Sequence, residues 1–279
     1  MKRLPPTHAF LARQMRALST RLGATLPRVR KRADDEAIHD MRVALRRLRV
    51  VLKVARPIFG RFHVDAIRAS FTRVHRASGA LRDEEVLRET LADLHIASAE
   101  LDAWMARRAA REEVLHGIVL ERLRAGDLRN PMRMLRALLA LPVAPKRRRT
   151  LASFARKVVS RARADVDNGR DANPADALAL HELRIAYKRL RYTTEIFRDA
   201  LPLDISALAH SSERFQKRLG EIHDLDVAHV VISRARNIDD VRSQVLHAIA
   251  RARVAKVELY LQEMRPAPQR RAPLRMARR

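Results

Sequence analysis

The chain has 279 residues, enough for one large helical unit or two ordinary domains, and 47% of them are apolar, which argues against global disorder. Fifty-eight Lys and Arg against 32 Asp and Glu leave a net charge of +26 and an isoelectric point near 11.6. Such a field calls for a polyanionic partner (nucleic acid, an anionic membrane or another phosphate polymer), and the absence of cysteine excludes disulfides, thiolate nucleophiles and cysteine-held metal.

Few turn formers and almost no β-type alternation make the chain read as long amphipathic helices. The pattern predicts helices at about Thr7–Lys31, Glu36–Phe59, His63–Leu94, Ala97–Ala125 and Pro131–Leu141. It continues with Lys146–Asn168, Pro174–Ala200, Asp204–Arg236 and Asp239–Met264. The opening MKRLPPTHAF leads into a charged run rather than an apolar leader, and no stretch of about 18 apolar residues could span a bilayer. A soluble, cytoplasmic protein without membrane contact is the expectation. The tail RPAPQRRAPLRMARR (265–279) has no apolar period and reads as a disordered basic extension.

An internal repeat organises the rest. His39-x-x-Arg42-x-x-x-Arg46-Arg47-x-Arg49 returns 142 residues later as His181-x-x-Arg184-x-x-x-Lys188-Arg189-x-Arg191. Downstream, SGALRDEEV (Ser78–Val86) returns after 141 residues as LGEIHDLDV (Leu219–Val227). The same order at nearly the same offset predicts two related four-helix units, residues 1–127 and 146–264, joined by a connecting helix and linker at 128–145 and followed by the tail.

At about 100° per residue, His39, Arg42, Arg46, Arg49 and Lys53 fall within about 80° of arc on one helix. Met41, Ala44, Leu45, Leu48, Val51, Leu52 and Ala55 occupy another sector, the expected core face. Like charges at these spacings repel by a few tenths of a kcal/mol per pair, and no acid on the helix relieves them along the stripe. In the second copy His181, Arg184, Lys188 and Arg191 form the stripe, with Glu195 where the first copy has Lys53. The next helices add Arg73, Arg76 and Arg82, matched by Arg214, Lys217 and His223. Each set borders a glycine (Gly79, Gly220), whose expected use is close helix approach or a kink, and an acid (Asp83, Asp224), expected to orient guanidinium groups. His75 and His210 are further candidates to line the same space. Tyr187, Tyr192, Phe197 and Trp104 read as packing. The Arg bias, 50 Arg to 8 Lys, suits forked phosphate recognition, although a GC-rich genome would also produce it.

At these residues the sequence resembles the CHAD family, conserved histidine α-helical domains. That family pairs H-x-x-R-x-x-x-[RK]-R-x-R with L-G-x-x-R-D-x-D-V. Ser78, Glu85 and His223 depart from the second pattern. The resemblance spans about Thr7 to Met264. It implies an all-α fold of two pseudo-symmetric four-helix bundles around a basic central cavity, and binding of long-chain inorganic polyphosphate without turnover. It further implies association with polyphosphate granules for a stand-alone member.

The main alternative is a basic nucleic-acid-binding protein, and a +26 chain will hold nucleic acid non-specifically at low salt in any case. Against sequence reading, Asn and Gln total nine, and the stripes contain neither; against single-strand stacking, aromatics are only 4%. Enzymatic metal chemistry is suggested by His39–Asp40, His223–Asp224 and Glu36-x-x-His39. Consecutive helix residues do not share a face, however, and the extra inward carboxylates of di-metal bundles are missing. The expectation is therefore a non-enzyme with no cofactor and no metal. Polyphosphate is its expected partner, and protein partners are unspecified.

Overall fold

A computed structural model describes residues 4–31, 36–143, 150–201 and 204–264. Among them are ten α-helices and no strand. The first half holds α1 (Thr7–Lys31), α2 (Glu36–Phe59), α3 (Arg61–Ala77), α4 (Gly79–Ala92) and α5 (Ala99–Ala125). The connecting helix is α6 (Arg129–Ala140). The second half holds α7 (Leu151–Asn168), α8 (Ala177–Phe197), α9 (Asp204–Ser233) and α10 (Asp239–Met264).

Helix ends follow capping chemistry. Ser98 accepts from Leu101 N to start α5, and Gly126, in the left-handed region at φ 96°, ends it. Asp176 accepts from Leu178 N and Ala179 N. It therefore starts α8 at Ala177, three residues after the expected Pro174. The expected single helix His63–Leu94 is two helices, broken at Ser78. Its counterpart α9 runs unbroken through Gly220. The expected start of α7 at Lys146 and the tail 265–279 lie outside the described residues.

Packing places α2 between α1 and α3, and α8 between α7 and α9; α2 meets α8, α4 meets α9 and α5 meets α10 across the halves. The predicted core face of α2 is buried throughout, from Met41 to Ala55. The larger apolar core draws on both halves: Phe10 of α1 stacks on Phe197 of α8 at 5.8 Å, and Phe154 of α7 meets Phe197 edge-on at 6.1 Å. A second, smaller core joins Leu87, Leu91, Leu101 and Trp104 of α4 and α5 to Leu225, Ile232, Val241 and Val245 of α9 and α10. The basic stripes of α2 and α8 are thereby turned toward one shared space.

Candidate functional site

That space is an open cavity of about 2210 Å³, lined from both halves of the chain. Small-molecule pockets run to about 1,000 Å³, so this one has room for an extended ligand. Thirteen Lys and Arg side chains line it against two carboxylates, Asp83 and Asp224.

From the first repeat the lining includes His39, Arg42, Arg46, Arg49, Lys53, Arg82 and Asp83; from the second, Arg184, Lys188, His223 and Asp224. The physical centre is Arg46, whose charge acts on Arg42, Arg49, His75, Arg184 and Lys188. Its Nη1 donates to Tyr192 Oη at 3.1 Å. Tyr192 is buried as expected of a packing residue, and its hydroxyl also holds the central guanidinium.

Burial and mutual repulsion depress these cations. Burial, then Arg46, lowers Arg42 to about 10. Burial, then Arg46 and Arg184, lowers Lys188 to about 7. Arg49 and Arg184 are lowered chiefly by burial too. His75, confirmed in the lining, is pushed to about 3 by burial and by Arg42, so it stays neutral at neutral pH. The Nε atoms of Arg49 and Arg184 and Nε2 of His75 are buried without a hydrogen-bond partner in the protein. Such groups are costly unless something else satisfies them.

Arg42 is tied differently. It is 7% exposed, and its Nη1 donates to Ser78 Oγ at 2.8 Å and to the carbonyls of Ser78 and His75. The break between α3 and α4 supplies those acceptors, since the last carbonyls of a helix have no partner within it. Ser78, 1% exposed, serves the tie in place of the leucine found at the second copy's Leu219.

Other expected residues sit apart from the lining. His181 packs its ring on His223 at 4.7 Å, and burial, His223 and Arg184 hold its pKa below 6.5. Arg191 is engaged by Glu195 at 2.9 Å and Glu213 at 2.6 Å. Arg214 lies 3.5 Å from Glu263, Arg73 donates to Ser70 Oγ, and Lys217 is exposed. Arg76 is outside the lining but acts on Arg49. His210 is exposed and not in the lining. Arg82 does line the cavity, with Glu85 at 3.0 Å and Glu89 at 3.3 Å offsetting its charge.

Two expectations about the glycine–acid motif change. Of the two uses expected of the glycines, close helix approach holds at neither, since Gly79 has open space around it and at Gly220 a Cβ would meet only Arg184 Nε, at 3.7 Å, while the break in the chain direction holds at Gly79 alone. Among the described residues neither acid bonds a guanidinium. Asp224 is 3.2 Å from Nδ1 of His223, and both acids act on Arg42 or Arg184 only through their field. Arg56, Arg61, Arg68, Lys157 and Arg161 also line the cavity, unforeseen because they lie outside the recurring motif, and so does Arg189, a motif residue that lies off the stripe. Among the described residues no group of His, Asp and Glu is arranged to hold a metal ion.

The CHAD domain family model matches residues 12–233. The chain belongs to the CHAD domain family. Among solved structures it is similar to the CHAD domain from the plant Ricinus communis, with a TM-score of 0.69 and 22% identity over 94% of this chain and 89% of that one. It is also similar to PptA from Streptomyces chartreusis, with a TM-score of 0.65 and 18% identity over 93% of this chain and 98% of that one. At these identities the likeness is one of fold. No curated protein matches the sequence. The CHAD domain here thus carries the motif histidine His39 in the cavity lining, together with His223 at a motif arginine position, and the motif histidine His181 against His223.

Proposed function

We propose that this CHAD domain holds long-chain inorganic polyphosphate in the cavity between its halves, without turning it over. The observation that carries this reading is the concentration of cations in the lining, thirteen against two carboxylates, with Arg42, Arg46, Arg49, Arg184 and Lys188 at its centre in no ion pair among the described residues. They are desolvated enough to lower Arg42 and Lys188 well below their ordinary values. A fold that accepts this repulsion gains it back when a polyanion enters. Polyphosphate presents evenly spaced charge and no bases, and this lining offers guanidinium forks and ammonium groups, while its two aromatics, Phe154 and Tyr192, are buried in packing. The family resemblance points to the same ligand.

The test is competition at about 0.15 M salt between polyphosphate, duplex DNA and poly-U, for wild type and an Arg46→Ala, Arg184→Ala, Lys188→Ala variant. Arg42 is left in place because of its tie to Ser78. The reading expects polyphosphate to win by orders of magnitude, the variant to lose that preference while folded, and no orthophosphate release. Equal binding of all three polymers, with the variant weakened equally for each, would show a general basic nucleic-acid binder instead.

A further inference from the structure

The two motif stripes end in opposite electrostatic conditions. On α8 the position equivalent to Lys53 is Glu195, which engages Arg191 at 2.9 Å and Arg47 at 3.1 Å; with Glu213 also on Arg191 at 2.6 Å, two carboxylates offset the two guanidinium groups there. On α2 the stripe does not stop. Lys53 lies in the field of Arg189, Arg68 and Arg56, and the cavity wall continues through Arg61 to Lys157 and Arg161 on α7.

Compensation at this end is sparse. Asp65 alone serves three guanidinium groups, Arg56 at 2.6 Å, Arg68 at 3.7 Å and Arg61 at 3.9 Å. Asp165 takes Arg189. Lys157 and Arg161 stand about one helical turn apart on the same wall, exposed, and among the described residues neither has an ion-pair partner. From His39 to Arg56, the last lining cation of α2, the helix rises about 26 Å at 1.5 Å per residue, against about 21 Å for the His39–Lys53 stripe, and Arg61 at the start of α3 continues the wall.

We propose that Lys157 and Arg161, with Arg56, Arg61 and Arg68, form a second phosphate subsite that extends the cavity in one direction only and makes affinity depend on chain length. The proposal rests on the polyphosphate reading. A short oligophosphate satisfies the Arg46 centre; a long chain also reaches the α7 end, where its second contact forms at high effective concentration.

The measurement is the affinity of tripolyphosphate and of long-chain polyphosphate, with duplex DNA as a third ligand, for three proteins. They are wild type, Lys157→Glu with Arg161→Glu, and Arg107→Glu with Arg251→Glu. The last pair sits on exposed positions of α5 and α10 outside the lining and alters net charge identically. The α7 variant is expected to lose about tenfold or more of the long-chain advantage over tripolyphosphate, while its tripolyphosphate affinity and its fold match the control variant. An α7 variant equal to the control for both lengths, or weakened by the same factor for both, overturns the subsite alone. A wild type that prefers DNA to long-chain polyphosphate overturns the polyphosphate reading and the subsite with it.

Discussion

Arg42 and Arg184 occupy the same position of the repeat. Arg42 is fastened to the carbonyls and hydroxyl at the α3–α4 break, whereas Arg184 lies beside an unbroken α9 with its Nε unpartnered. The difference arises one helix away. Ser78 and Gly79 interrupt the first copy and free acceptors; Leu219 and Gly220 continue the second and free none. Identical spacing thus yields an anchor in one half and an available donor in the other. At the far end of each stripe the asymmetry reverses, since Lys53 leaves the first copy open and Glu195 closes the second.

This contrast can be broken by mutation. The largest effect on binding is expected at the shared centre: Arg46→Ala should weaken polyphosphate binding about tenfold to hundredfold, measured by titration calorimetry, as loss of a charged hydrogen-bonding group does. Next, the paired positions should separate stability from binding. Arg42→Ala is expected to lower unfolding free energy by about 1–3 kcal/mol in denaturant titration, because buried acceptors are orphaned. Arg184→Ala should leave stability unchanged or raised and weaken binding several-fold. Equal stability losses at both positions would refute the anchor–donor distinction.

Proton linkage gives a third, smaller signal. Lys188 is lowered from 10.5 to about 7 in the fold, so between those values the unfolded chain binds the extra proton and stability of the ligand-free protein rises with pH. The penalty is complete below pH 7 and fades as pH climbs above it. Its share of the slope is at most about 1.4 kcal/mol per pH unit, read as the difference between wild type and Lys188→Met. On the proposed reading, bound polyphosphate should restore the proton to Lys188, and to His181 at lower pH, so affinity should fall over the pH range in which stability rises. Parallel trends would exclude this linkage. The smallest effect is expected from Gly220→Ala, which should stabilise the interior of α9 by up to about 1 kcal/mol in thermal unfolding, as the added Cβ meets only Arg184 at an ordinary distance.

Periodicity sufficed for the α2 core face and for the bounds of α2, because burial there follows a 3.6-residue rhythm, whereas the facing of the two stripes onto one cavity was implied only by the family resemblance. The break at Ser78 was hidden because a serine followed by one glycine is compatible with a continuous helix, as Gly220 demonstrates. The α7 cations were hidden for another reason. Lys157 and Arg161 stand on a helix without the motif, and only tertiary packing brings them to the end of α2. Likewise Arg191, Arg214 and Arg73 carry motif spacing, yet Glu213, Glu263 and Ser70 on neighbouring turns or helices claim them.

The smaller core at the tips of α4, α5, α9 and α10 separates two kinds of adhesion. The walls there are held by Leu87, Trp104, Leu225 and Val245, contacts that salt does not screen, whereas a ligand in the cavity is held by charge that salt screens within about 10 Å at 0.1 M. Raising ionic strength should therefore strip the cargo while the cavity stays assembled. On the polyphosphate reading, the empty protein recovered in this way should load again on dilution, without refolding.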